Sequence, residues 1–209
     1  MNFETSKNLG TIGALLMFLG CIPLFVNQTL VFGCIEIIGG LLIIVSLYGF
    51  ANFYKNKNIF TNALFGGVVA IIGSILMSII AEVKLLPLSM DLTHQLYPDW
   101  NGDPSSLQNL TPDIANLDLS AVMPLLTILL LILAIFCVSA IIATFFIRRS
   151  LKDLATHSGT NRFATVSLLL LIGAILSIIA VGLLLIWIAT LVLAIAFFTM
   201  KQTNSTPPQ

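Results

Sequence analysis

The sequence predicts an all-α integral membrane protein, a bundle of six transmembrane helices with a short amphipathic helix on its outer surface. Two observations support this fold class. Residues 164–200 contain no charged side chain, and as one α-helix they would be ~55 Å long, against a hydrocarbon core of ~30 Å. Charged residues make up only 9% of the whole chain, whereas soluble domains carry about a quarter. The uncharged stretch therefore indicates two spans joined by a tight turn near Val181 and Gly182.

Apolar windows place the six helices along the chain. Most connections between them are short, so consecutive helices should pack as antiparallel hairpins. Only the acidic outer segment, residues 82–120, forms a long polar connection, between the third and fourth helices. We predict one transmembrane domain over residues 1–203 and a disordered tail over residues 204–209. The predicted spans are residues 9–26, 30–50, 62–81, 121–147, 164–180 and 182–200.

The basic residues predict the orientation of the chain in the cell membrane. All but Lys84 can be placed in the cytoplasm if the chain crosses the membrane an even number of times with both termini inside. Five spans would put Lys201 on the wrong side, so the charges favour six. The cytoplasmic basic residues are then Lys7, Lys55, Lys57, Arg148, Arg149, Lys152, Arg162 and Lys201.

The acidic outer segment contains a turn-rich stretch, residues 97–104, followed by apolar residues at helical spacing. Thr111, Pro112 and Asp113 suit the N-cap and first turn of a helix, which predicts a short amphipathic helix that starts there and lies on the outer surface. Asn109 stands in the sequon Asn-Leu-Thr. Because it is both outside and clear of the membrane, it is the candidate glycosylation site.

Glu36 is the ionisable side chain placed firmly inside a predicted span, and a charge at such a position is costly. Gly33 and Gly40 share its helix face, which can therefore be approached closely. The third helix carries a small-residue stripe of period four, a pattern that lets membrane helices pack backbone to backbone. We predict that the two faces meet and that Glu36 is hydrogen-bonded to Ser74 or Ser78, which form with it the candidate intramembrane polar site. The stripe consists of Gly66, Ala70, Ser74 and Ser78.

Three interpretations of Glu36 stay open at this point. It is a structural residue that holds two helices together, a proton or ion site, or a residue of the outer membrane interface. The last is favoured by its depth, ~9 Å below the outer start of the helix, and by the tilt of helical side chains toward the helix N-terminus.

The sequence predicts no catalytic, cofactor-binding or metal site. His94 and His157 fall on opposite sides of the predicted bilayer, and neither stands in a zinc-binding motif. The three cysteines lie in apolar runs without the paired spacing of metal ligands. No phosphate-binding loop is present, and no basic patch is large enough to suggest nucleic acid as a partner. An enzyme is therefore not expected.

Several segments carry a family resemblance. They are SKNLGTIGAL (6–15), NIFTNAL (58–64), RSLKDLATHSG (149–159), LLLIGAIL (169–176) and AIAFF (194–198). Together they resemble the domain-of-unknown-function 996 family of uncharacterised archaeal and bacterial multi-pass membrane proteins. The resemblance covers nearly the whole chain except the acidic outer segment. It implies a membrane architecture, and it implies no activity and no functional residues.

The scarcity of polar groups within the predicted spans favours a structural or partner-binding membrane component without catalysis. Its expected partners are the lipid bilayer and either further copies of itself or another membrane protein. The alternative is a small transporter or channel that uses Glu36 as an intramembrane proton or ion site, with the membrane lining completed by homo-oligomerisation.

Overall fold

The computed structural model describes residues 1–20, 29–113, 119–179 and 181–202, and the secondary structure of these residues is helical. Short turns connect most helices, and Pro104–Asn109 and Ser177–Ile179 form 3₁₀ turns. The helices are α1 (Phe3–Gly20), α2 (Thr29–Phe53), α3 (Lys57–Ile80), α4 (Leu86–Leu96), α5 (Leu119–Ser158), α6 (Asn161–Leu176) and α7 (Val181–Thr199).

Five helices among the described residues are long and apolar enough to cross a membrane. The protein is therefore a multi-pass membrane protein. The predicted first span corresponds to α1, but residues 21–26 of it lie outside the described residues, as does the predicted tail. The count of six spans thus stays a prediction. The five helices cover Ile35–Phe53, Lys57–Leu96, Val122–Ser158, Asn161–Ile179 and Val181–Thr199.

The chain forms two compact units, the first of which comprises residues 1–71 and 139–209. In this unit α1 and α2 pack backbone to backbone through glycines. A Cβ at Gly13 would lie 2.7 Å from the Gly39 carbonyl oxygen, and one at Gly20 would lie 3.0 Å from the Glu36 Cβ. At the other end of the same interface the Ser46 hydroxyl donates to the Ser6 carbonyl oxygen at 2.6 Å. Small residues thus give the close approach that membrane helices use for van der Waals packing.

Helix α7 packs against both α6 and α1. The α6–α7 hairpin is tight, because a Cβ at Gly173 would meet the Gly182 carbonyl oxygen at 3.0 Å. On its other side, the Trp187 indole N–H donates to the Phe18 carbonyl oxygen at 2.9 Å, and the two rings stack with centroids 4.8 Å apart. The hydrogen bond satisfies the polar atom of a large side chain that would otherwise be costly to bury.

Aromatic rings fill the core of the first unit where α1, α2, α6 and α7 meet. Phe197 is fully buried; its ring lies edge-on to Phe163 at 5.1 Å and stacks with Phe50 at 6.0 Å. Phe50 in turn meets Phe3 at 5.6 Å. These distances lie in the range of favourable aromatic pairs, so this cluster joins four helices at one end of the unit.

Helix α5 runs on past the predicted end of the fourth span at residue 147, and the predicted cytoplasmic connection is mostly helix. Ser150, Leu151, Leu154, Ala155 and Ser158 are buried at helical spacing, which anchors this extension to the first unit. The Ser150 hydroxyl donates to the Ile59 carbonyl oxygen of α3. Gly159, with φ +66°, ends the helix in the left-handed conformation that glycine adopts without strain.

The second unit comprises residues 72–138. Here α3 ends at Ile80, within one residue of the predicted end of the third helix, but the chain stays helical: a π-helical turn, Ala81–Leu85, leads directly into α4. The Leu86 N–H donates to the Ala81 carbonyl oxygen, five residues back. A proline clashes with the carbonyl four residues before it in a regular α-helix, and Pro87 follows this wider turn at once. The π turn therefore accommodates Pro87 without a break between α3 and α4.

A compact loop follows α4. The Trp100 indole N–H donates to the Asp103 carbonyl oxygen at 2.8 Å, and the Trp100 ring lies 4.8 Å from that of His94. The Asp113 N–H donates to the Leu96 carbonyl oxygen at 2.8 Å, which returns the chain to the end of α4. The predicted helix start at Thr111 is wrong, because residues 111–113 are not helical and Asp113 is engaged in this return. The rest of the predicted short helix falls on residues 114–118, outside the described residues.

Asp103 organises the loop. Its carboxylate accepts hydrogen bonds from the Ser105 hydroxyl at 2.6 Å and from the Ser105 N–H at 3.0 Å. These two bonds, the hydroxyl first, lower the pKa of Asp103 below its ordinary value of 3.8. Since the folded pKa is the lower one, the ionised carboxylate stabilises the loop above pH 3.8, and this stabilisation is lost as the pH falls through the folded pKa.

Acid titration should therefore open the loop, and Trp100 reports on it. In a Trp187→Phe background Trp100 is the sole tryptophan, and we expect its fluorescence in detergent to change with a midpoint below pH 3.8. Ser105→Ala removes the largest cause of the shift and should raise that midpoint. Ser106→Ala is the control, because the Ser106 hydroxyl bonds the Asp103 carbonyl oxygen and not the carboxylate. Equal midpoints in all three proteins would contradict the role of the Ser105 hydroxyl.

Candidate functional site

Glu36 lies on α2 where this helix meets the end of α1. Its Cα and Cβ are the nearest atoms to the position that a Gly20 Cβ would occupy, at 3.2 and 3.0 Å. The side chain is exposed on the surface of the unit. Glu36 thus combines a close contact of its Cα and Cβ with exposure of the residue on the surface of the unit.

The predicted face of α2 is only partly the one that packs. A Cβ at Gly40 would have no heavy atom within 4 Å, whereas one at Gly39 would lie 2.8 Å from the Met17 backbone nitrogen of α1. The α2 face in close contact therefore contains Glu36, Gly39 and Ser46, and its partner is α1. Sequence reasoning missed Gly13 and Gly20 as the neighbours of this face. The seven-residue spacing of Gly39 and Ser46 was the signal that could have found it.

The small-residue stripe on α3 has a different neighbour at its start. A Cβ at Gly66 would meet the Ala143 carbonyl oxygen of α5 at 2.9 Å, whereas one at Gly67 would lie 3.0 Å from the Ile44 side chain of α2. Gly66 thus packs against α5, not α2. Ser74 and Ser78 are exposed and belong to the second unit. A hydrogen bond between Glu36 and either serine stays a prediction.

The remaining candidate, Asn109, is the last residue of the 3₁₀ turn Pro104–Asn109. It belongs to the loop organised by Asp103, in the second unit. Its glycosylation stays a prediction. Among the described residues, no group of three histidine, cysteine, aspartate or glutamate side chains is arranged to hold a metal ion.

Comparison with known proteins identifies the family of this chain. Residues 35–191 match the family described as "Protein of unknown function (DUF996)". The chain belongs to the DUF996 family. This confirms the resemblance found in the sequence. The DUF996 match spans α2 to most of α7, and so includes Glu36, Ser74 and Ser78 as well as the acidic outer segment.

This DUF996 protein is also similar to an uncharacterized protein, MJ1644, of Methanocaldococcus jannaschii. The two sequences are 22% identical over 202 residues, which cover 97% of this chain and 95% of the relative. The similarity therefore extends beyond the family match to both ends of the chain. No solved structure matches this DUF996 chain.

Proposed function

We propose that this protein is a structural or partner-binding component of the membrane, without catalytic activity, that crosses the membrane six times with both termini in the cytoplasm. The basic residues support this orientation, because Lys7, Lys57 and Arg162 precede or begin helices that the positive-inside rule would start in the cytoplasm. Expected partners are the lipid bilayer and either further copies of the chain or another membrane protein.

One observation carries the proposal: seven buried serine and threonine hydroxyl groups in the first unit donate hydrogen bonds to backbone carbonyl oxygens. A transport pathway needs polar groups turned toward a solute or an ion, whereas these side chains donate within or between the helices. Hydrogen bonds between membrane helices stabilise their packing by about 0.6 kcal/mol each, and Ser46 and Ser150 make bonds of that kind. The donors are Ser6, Ser46, Thr144, Ser150, Ser167, Ser177 and Thr190, each to a main-chain carbonyl oxygen.

The two histidines support the absence of catalysis. His157 Nδ1 lies 2.7 Å from the Asp153 carbonyl oxygen, one helical turn back, and His94 is next to the Trp100 ring in the loop that Asp103 organises. General acid–base chemistry needs a titratable group within hydrogen-bond reach of the reacting atom and a partner to orient it. Each histidine instead sits against structural groups of its own unit.

A flux assay on Glu36→Gln tests the proposal against the transporter alternative. In liposomes that contain a pH-sensitive dye, we expect the wild type and Glu36→Gln to dissipate a proton gradient no faster than empty liposomes. If Glu36 is structural, the substitution should instead lower the unfolding temperature in detergent, for a loss of about 0.6 kcal/mol. Glu82→Gln, at an exposed carboxyl group in the π turn, is the control and should change neither quantity.

The opposite pattern would support the transporter. In that pattern the wild type would show proton flux above that of empty liposomes. Glu36→Gln would lose this flux and Glu82→Gln would keep it, with no change in the unfolding temperature of either variant. Such a result would make Glu36 an ion site. The observation that favours this alternative is the exposure of Glu36, because the residue is not enclosed in the packed core of the unit.

A further inference from the structure

A cleft of about 590 Å³ lies at one end of α6 and α7, beside the turn that connects α5 to α6. Its volume is in the range of small-ligand sites, roughly 300–1,000 Å³. Two cationic side chains, Arg162 and Lys201, line it together with hydroxyl and amide side chains. The full lining is Ser158, Gly159, Thr160, Asn161, Arg162, Thr199 and Lys201.

The structure holds one of these cations in place. Arg162 Nη1 donates to the Thr199 Oγ1 at 2.7 Å, so the guanidinium group is tied across the helix pair at the mouth of the cleft. A guanidinium carries five N–H donors, and this bond uses one of them. Lys201 lies two residues beyond Thr199, the last residue of α7, and is exposed. The cleft therefore presents positive charge and several hydrogen-bond donors within one small volume.

The position of the cleft indicates its ligand. Both α6 and α7 are long and apolar enough to cross a membrane, and the cleft lies where their apolar stretches end and polar residues begin. Lipid headgroups occupy this depth, and basic pockets between transmembrane helices on the cytoplasmic side bind the headgroups of anionic lipids. We propose that the cleft binds the phosphate headgroup of an anionic phospholipid, with Arg162 and Lys201 as its cationic contacts. This inference rests on the membrane assignment and on the proposed cytoplasmic orientation of this end of the helices, and it holds for a structural protein or a transporter.

Lipid titration of the purified full chain tests the site. Native mass spectrometry in neutral detergent would measure the apparent dissociation constants of phosphatidylglycerol and of phosphatidylcholine. We expect tighter binding of phosphatidylglycerol by the wild type, and a roughly 25-fold loss in the double variant Arg162→Gln with Lys201→Gln, since a basic residue near the membrane surface contributes about fivefold. The control is Lys57→Gln with Lys152→Gln, which removes two exposed lysines outside the cleft and should cost less than threefold.

Two outcomes would overturn the proposal. Equal losses in both double variants would mean diffuse attraction to a basic face without a site. Displacement of phosphatidylglycerol by an equal concentration of inorganic phosphate would mean a site for a soluble anion, not a lipid headgroup. If the cleft double variant does not fold, the apparent dissociation constant of phosphatidylglycerol for Lys201→Gln alone tests the proposal. Lys201 lies beyond the helices, so we expect normal unfolding of this variant and a loss of about fivefold.

Discussion

Replacing Phe197 by alanine should destabilise the helix bundle strongly, whereas replacing its neighbour Phe198 should not. Phe197 is 0% exposed and Phe198 is 68% exposed, although the two are chemically identical and adjacent on α7. A Phe197→Ala cavity removes the contacts with Phe50 and Phe163. In soluble cores such a change costs about 3–5 kcal/mol. We expect about 3 kcal/mol, because lipid is as apolar as the core and the loss is one of packing.

Thermal unfolding in detergent, followed by circular dichroism, would measure both variants. Phe198→Ala serves as the control for the loss of an aromatic ring from a transmembrane helix. Similar unfolding temperatures for the two variants would mean that the aromatic cluster does not hold α1, α2, α6 and α7 together.

A second large effect is expected at Gly39. An alanine Cβ there would lie 2.7 Å from the Gly13 carbonyl oxygen and 2.8 Å from the Met17 backbone nitrogen. These are backbone atoms that cannot turn aside, so Gly39→Ala must push α1 away from α2. Overpacking of this kind costs about 1–3 kcal/mol.

Gly40→Ala is the matched control, because a Cβ there would meet no heavy atom within 4 Å. Alanine also favours the helix over glycine by about 1 kcal/mol, so this variant should be as stable as the wild type or slightly more so. Thermal unfolding in detergent, followed by circular dichroism, would compare the stabilities of the two glycine variants. A Gly39→Ala protein as stable as Gly40→Ala would show that α1 and α2 do not approach through these backbones.

The membrane class could be predicted from the sequence because the physical constraint is strong. An uncharged stretch as long as residues 164–200 is hard to accommodate in any structure other than membrane-spanning helices. The turn predicted near Val181 and Gly182 lies close to the start of α7 at Val181. Helix ends were harder to place. The extension of α5 beyond residue 147 carries charges at Arg148, Arg149 and Lys152, which indicated a loop. Its buried residues nevertheless recur at helical spacing, from Ser150 to Ser158.

For the candidate polar site, the sequence pattern could not predict which helix faces meet. The sequence predicts that Glu36 lies on a closely packed face of its helix, and in the structure its Cα and Cβ lie next to Gly20 of α1. The partner helix could not be predicted, because small residues occur on several faces and each face can accept a neighbour. Whether Gly39 or Gly40 meets another helix depends on the rotation of α2 about its axis. Only the contacts with Gly13 and Met17 determine that rotation.

The π turn at Ala81–Leu85 has a consequence for how the family can vary in sequence. A π turn holds one residue more than the α-helical turn it replaces, and each residue of an α-helix turns the chain by about 100°. A relative that lacks one residue here would close an ordinary α-helical turn at this point, so α4 would keep the same side chains on each of its faces. Without a π turn, the extra residue would instead rotate every later side chain by that angle. A single gap at this point of an alignment would thus leave the surface of α4 unchanged.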